Sequence, residues 1–203
     1  MSVDQVSLLT SACSHELRPA AGETARIPTE SSAQVSFAET NGVKLPPFDS
    51  TASADSAVGM AAPKIRASYF SDEEVLIDTA DGRPRVVVFL AHWCPRCQAE
   101  VTSLVPWFAA NSVPDGVDVI GVSTGVDEGA PNYPPSEWLL REEWPIPVLR
   151  DSAQADIAAA YGLTGYPFLV AIDSDGEVLS RSSGGTSIAE WEAILAAVDT
   201  RDG

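Results

Sequence analysis

From Val58 onward, short apolar runs alternate with stretches of helical spacing. Val75-Leu-Ile77 is a first apolar run, followed by the turn signal Asp81-Gly82. Val86-Val-Val-Phe-Leu-Ala91 is an unbroken β-branched and apolar run, the pattern of a strand buried on both faces. Pro95 then opens a helix through Val105, because proline is tolerated in a first helical turn, and Pro106 is expected to kink or interrupt it. Val117–Val122 predicts a second buried strand and Thr124–Pro135 a long loop. Ser136 is the expected N-cap of a short helix that turns Trp138, Leu139 and Trp144 inward. Pro147–Arg150 predicts a brief strand, and Ala153–Tyr161 an Ala-rich helix stopped by Gly162. Phe168–Ile172 and Glu177–Leu179 flank Asp173-Ser-Asp-Gly176 as a hairpin. Thr186 or Ser187 then caps a last helix carrying Ile188, Trp191, Ile194, Leu195 and Val198 on one face. This order predicts an α/β fold, a central mixed β-sheet flanked by helices on both faces.

Residues 1–57 follow no such rhythm. They are rich in Ala, Ser, Thr, Glu and Pro with few aromatics, and read as a low-complexity N-terminal arm unable to build a core of its own. Within it, residues 33–48 alternate weakly around Asn41-Gly42, which predicts a hairpin lying against the main domain, and Thr51–Ala57 reads as a mobile connector. Residues 58–203 are the expected domain. The 203-residue chain carries 12 Lys+Arg against 29 Asp+Glu, a formal charge of −17. That excludes the basic footprint of a nucleic-acid binder. No apolar run approaches the ~20 residues of a membrane-spanning helix.

Three cysteines are too few for a disulfide scaffold, and their placement is more informative than their number. Cys94 and Cys97 form a Cys-x-x-Cys pair where the most apolar strand meets the next helix. Two residues between cysteines in a first helical turn bring both sulfurs to one helix end, within reach of a bond that opens and closes. The first sulfur faces free backbone N–H groups and the positive end of the dipole, which favours the nucleophilic thiolate. Cys94 is therefore expected to attack and Cys97, one turn further in, to resolve the mixed disulfide. Arg96 adds a fixed positive charge that should favour the reduced form. His92 reads as a surface residue beside the pair.

The run Trp93-Cys94-Pro95-Arg96-Cys97-Gln98-Ala99-Glu100, with Gly165-Tyr166-Pro167-Phe168 far downstream, resembles the thioredoxin superfamily, and within it the TlpA/ResA-like thiol-disulfide oxidoreductases. Val58-Gly-Met-Ala-Ala-Pro63 is similar to the lead-in of redoxin-type domains, where Ala-Pro starts the first strand. The resemblance implies a thioredoxin-like fold and disulfide exchange with protein substrates and a redox-partner protein. It assigns proton transfer to Glu100, three residues after the second cysteine. It puts Trp93, Pro95, Arg96, Tyr166 and Pro167 at the substrate, with a cis bond before Pro167. It further implies no metal or organic cofactor, a monomer, and a site outside a bacterial cytoplasmic membrane with a membrane tether through the N-terminus. Two positions depart from the family pattern. Val88 stands where cytosolic thioredoxins carry a buried aspartate, and Thr102 where a proline often follows the glutamate.

The same residues admit other chemistries. Zinc would need four ligands, and only His92 and the distant Cys13 and His15 could join the pair. A peroxiredoxin-like peroxidase would carry Thr or Ser where Ala91 stands, and a redox-inactive binding module would use only the groove at Pro167. Val6–Cys13 has the order of a bacterial lipidation signal, but its apolar stretch is short, Asp4 interrupts the lead and no basic residues precede it.

Overall fold

A computed structural model describes residues 33–199. One mixed sheet spans the molecule, built of β1 (Glu39–Asn41), β2 (Lys64–Tyr69), β3 (Glu74–Ile77), β4 (Arg85–Leu90), β5 (Asp118–Ser123), β6 (Val148–Arg150), β7 (Phe168–Ile172) and β8 (Val178–Ser183). The path runs β1-β2-β6-β5-β4-β7-β8, with β3 added to β2. β4 lies between parallel β5 and antiparallel β7, and each of its residues is buried. β2 has only two flanks, and β3 occupies one of them from Ile65 to Ser68. β1, at Lys64–Arg66, and β6, at Ser68–Tyr69, therefore share the other flank end to end.

The four helices are α1 (Pro95–Ala110), α2 (Pro135–Arg141), α3 (Asp156–Ala160) and α4 (Ile188–Asp199). Period-two alternation along the strands splits the apolar side chains between two faces. Val86, Val88 and Leu90 of β4 pack with Val101 and Leu104 of α1, Trp138 and Leu139 of α2, and Trp191 and Leu195 of α4. Val87 and Phe89 point the other way, against Ile157 and Ala160 of α3 and Tyr161 just beyond it. Helices cover both faces, as the pattern predicts, and Trp138, Trp144 and Trp191 are all in the core.

Several local expectations are corrected. No hairpin forms within residues 33–48: Glu39–Asn41 pairs with β2 instead, and Leu45 bonds through its N–H to the Ala160 carbonyl. Ala38, Leu45 and Ala57 are buried in the α3-side core, so the arm contributes apolar surface to the domain it precedes. The segment expected as a connector is tied down by a two-point ion pair between Asp55 and Arg181 of β8. α1 runs through Pro106 without a break, on a face where Thr102 and Pro106 are both exposed. α2 begins at Pro135 rather than after Ser136, with Pro134 as N-cap, and proline at the first helical position pre-sets φ. α3 is shorter than the Ala-rich run suggests, because Ala155 is left-handed, the Ser152 hydroxyl takes the Asp156 N–H, and Asp151 takes those of Ile157 and Ala158. Ser187 is confirmed as the cap of α4: its hydroxyl accepts from the Glu190 N–H while the Glu190 carboxylate accepts from the Ser187 N–H. Cys13, His15 and the lipidation-like stretch lie outside the described residues.

Candidate active site

β4 ends in Leu90, and four residues later the chain turns into α1 with Cys94 as its N-cap residue and Pro95 first in the helix. Cys94 is 7% exposed and Cys97 0%. The Cys94 N–H donates to the Ala91 carbonyl and its own carbonyl accepts from Gln98, which fixes the tight entry into the helix. Cys97 Sγ accepts from the Ala91 N–H at 3.4 Å. Neither cysteine is in a disulfide. Burial pushes the Cys97 thiol up, with the nearby Cys94 and Glu100 acting in the same direction and the Ala91 N–H opposing them.

The Tyr166–Pro167 peptide is cis, as the resemblance implies. Its loop faces the pair: Cys94 Sγ lies 3.9 Å from the Tyr166 carbonyl oxygen. The Gly184 N–H donates to the Pro167 carbonyl at 2.9 Å, locking this loop to the end of β8. Trp93 meets the Tyr166 ring edge-on at 5.5 Å and donates its indole N–H to the Gly125 carbonyl at 2.7 Å. Trp93, Cys94, Pro95, Arg96 and Tyr166 line a groove of about 590 Å³. Its lining also includes Ser50 and Gly184, which sequence reasoning missed. Ser50 lies in a segment without periodicity, and no local signal points to it.

Glu100 is one turn beyond Cys97 and 4% exposed. Its Oε2 accepts from the Thr186 N–H at 2.8 Å, whereas Oε1 is buried with no hydrogen-bond partner. Burial raises the Glu100 carboxyl above its usual value near 4.5, against the pull of the Thr186 bond. A carboxyl held this way can take or give a proton at Oε1 without losing its anchor.

His92 is not a surface residue. It is 1% exposed, its Nδ1 lies 2.8 Å from the Pro131 carbonyl, and Nε2 accepts from the Asp127 N–H at 3.2 Å. The Gln98 side chain and that of Asn132 also donate to the His92 backbone carbonyl. The ring pins the 125–134 loop beside the dithiol, and both nitrogens are engaged. Val88 is fully buried among apolar neighbours, so no carboxylate stands behind the pair on β4. Asp151 is buried at the start of α3 and raised by that burial. Among the described residues no three His, Cys, Asp or Glu side chains gather to hold a metal ion.

A buried, paired dithiol at a helix start facing a proline loop can be set beside known proteins. The Redoxin family model matches residues 57–195, from the last turn before β2 to the middle of α4. The chain belongs to the Redoxin family. This Redoxin chain is 28% identical over 150 residues to a thiol:disulfide interchange protein DsbE homolog of Paracoccus denitrificans, covering 73% of this chain and 78% of that one. It is 28% identical over 125 residues to nucleoredoxin of Bos taurus, but spans only 27% of that protein's length. Among solved structures, a secreted Mycobacterium tuberculosis disulfide oxidoreductase homologous to E. coli DsbE superposes with a TM-score of 0.54 at 27% identity, covering 65% of this chain and 94% of that one. The thioredoxin domain of a Bacteroides vulgatus thiol-disulfide oxidoreductase gives 0.57 at 19% identity, covering 70% and 98%, and speaks to the fold alone. The fold of this Redoxin chain is thioredoxin-like. Among the described residues no helix is long and apolar enough to cross a membrane.

Proposed function

We propose that this chain is a thiol-disulfide oxidoreductase of the TlpA/ResA-like kind, exchanging disulfides with protein substrates through Cys94 and Cys97. One observation carries the reading: a sulfur at the helix N-cap opens on a groove, with a second, fully buried sulfur one turn behind it. In the reducing direction the Cys94 thiolate attacks a substrate disulfide, forming a mixed disulfide and releasing one substrate thiolate. Cys97 then gives its proton to Glu100 and attacks Cys94 Sγ, breaking the mixed disulfide. The second substrate thiolate leaves with the electron pair, and Cys94–Cys97 is the two-electron oxidised product. A redox-partner dithiol restores the starting state by the same steps, and oxidation of a substrate dithiol is the sequence reversed. Trp93, Pro95 and Arg96 would border the bound segment on one side, and Tyr166 and Pro167 on the other. An extracytoplasmic site of action, with a membrane tether through the N-terminus, is the setting this reading carries.

The raised Cys97 thiol supports the order of events, because the resolving sulfur stays protonated until a base and a mixed disulfide are both present. The buried alanine at position 91 favours exchange over the peroxidase alternative, which calls for a hydroxyl there. The test is trapping. Cys97→Ser should accumulate a mixed disulfide on Cys94 that mass spectrometry detects and dithiothreitol reverses, while Cys94→Ser should trap nothing. A chain whose two cysteines never equilibrate with glutathione buffers would sink the reading, and peroxide turnover surviving Cys97→Ser would replace it with a peroxidase.

A further inference from the structure

The groove has one wall from outside the strand-helix framework. Residues 45–57 cross the α3 side of the molecule as a strap, and three independent ties bind them to the chain entering the Tyr166–Pro167 loop. The Phe48 N–H donates to the Gly162 carbonyl at 2.9 Å, and the Thr164 hydroxyl donates to the Phe48 carbonyl at 2.9 Å. Gly162 is left-handed, and a Cβ placed on it would collide with the Pro46 carbonyl, so the strap and this turn fit only around a glycine. The Phe48 ring packs edge-on to Phe168, the residue after Pro167, with centroids 5.6 Å apart.

Arg181 of β8 is the anchor. Its side chain is fully buried, and Nε and Nη2 donate to the two Asp55 oxygens at 2.8 and 2.6 Å. Nη1 donates to the carbonyls of Pro46 and Tyr161, at 2.8 and 3.0 Å, and the guanidinium lies 5.5 Å from the Phe48 ring centroid. One cation thus holds both ends of the strap and the end of α3. Between the anchored ends lies Ser50, exposed and lining the same groove as Cys94.

We propose that residues 45–57 belong to the substrate site: Asp55 and Arg181 are positioning residues that clamp the strap onto the Tyr166–Pro167 loop, and Ser50 is a specificity wall limiting which peptide segments reach Cys94. This rests on the oxidoreductase reading above. A small disulfide needs only the sulfur, whereas a peptide disulfide must fill the groove along its length, so the strap should act on the second class alone.

The full chain is assayed with glutathione disulfide and with a disulfide-bonded fluorescent peptide, together with its redox potential in glutathione buffers. Ser50→Trp fills the groove from an exposed position and touches no buried bond. It should raise the peptide KM at least fivefold, leaving kcat, the glutathione rate and the potential within twofold or unchanged. Asp55→Asn, which loosens the anchor without touching the groove, should give the same split. A Ser50→Trp variant with wild-type peptide KM overturns the wall, and an Asp55→Asn variant with wild-type KM overturns the clamp. Equal loss on both disulfides in either variant reflects a structural effect and overturns the proposal for that residue. A wild type inert toward both disulfides instead removes the oxidoreductase reading. If Asp55→Asn does not fold, Asp55→Glu, which keeps the charge but displaces it, takes its place with the same expected and overturning outcomes.

Discussion

Glu100 holds two oxygens in unlike surroundings, one bonded to the Thr186 N–H and one buried without a partner. Folding raises its pKa above the usual value near 4.5, so the folded state binds this proton more tightly than the unfolded chain does. The stability linked to this group is complete below that value and is lost as pH rises through the raised one. Glu100→Gln keeps an acceptor for Thr186 and removes the titration. The variant should melt higher than wild type at pH 8 and gain nothing at pH 4. The same change should slow release of the mixed disulfide on the order of a hundredfold, the typical worth of a positioned proton carrier, seen as accumulation of the intermediate in quenched-flow. Arg96 is exposed and carries no ion pair among the described residues, so its charge is screened but free to act on the neighbouring sulfur. Arg96→Glu should lower the dithiol's reduction potential on the order of 10–30 mV in glutathione titrations. The Cys94–Cys97 pair was legible in the sequence because its motif sits at a strand-helix junction, whereas the cis bond before Pro167 was legible only through the family resemblance. His92 was misread, since its partners Asp127 and Pro131 belong to a loop whose return over the helix no local pattern encodes.

β4 and α4 show why some elements were plain and others shifted. An unbroken apolar run is compatible only with burial on both faces, and β4 is buried throughout. The helical spacing of Trp191, Leu195 and Val198 likewise states a buried stripe. That stripe meets an aromatic cluster in which Trp191 packs edge-on to Trp107 at 5.9 Å and to Phe108 at 5.7 Å, with Trp144 against Phe108 from the far side. Trp191→Ala should cost ~3–5 kcal/mol in urea denaturation, the range for a large aromatic removed from a packed core. α3 was overread because its N–H groups at Ile157 and Ala158 are taken by Asp151, five residues ahead of its start. A cap that far upstream leaves only an alanine run to be read.

Across the whole molecule the raised and lowered carboxyls set a pH profile. Glu100 and Asp151 are raised by burial, so lowering the pH through their raised values relieves two buried charges and stabilises the fold. Arg181 holds the Asp55 carboxyl below the usual range, so its stabilisation is present near neutrality and lost in stronger acid. A formal charge of −17 adds self-repulsion that mild acid also reduces. Thermal melts from pH 3 to 8 should therefore peak on the acid side of neutral. The arm was the least legible region, because Asp55 and Arg181 are 126 residues apart and pair only once the sheet exists. A fragment starting at residue 58 would keep the Redoxin match almost whole yet leave a buried guanidinium without its carboxylate, the kind of loss that costs ~3–5 kcal/mol in denaturant titrations.

β1 has a further consequence for how copies of the chain meet. It covers the stretch of β2 that β6 leaves uncovered, at Lys64–Arg66. Cleavage between residues 42 and 63 followed by loss of β1 would open a row of unpaired backbone donors and acceptors able to recruit a strand from a neighbour. Proteolytic nicking before β2 should thus promote edge-to-edge pairing between nicked copies, with light scattering rising before any loss of dithiol chemistry.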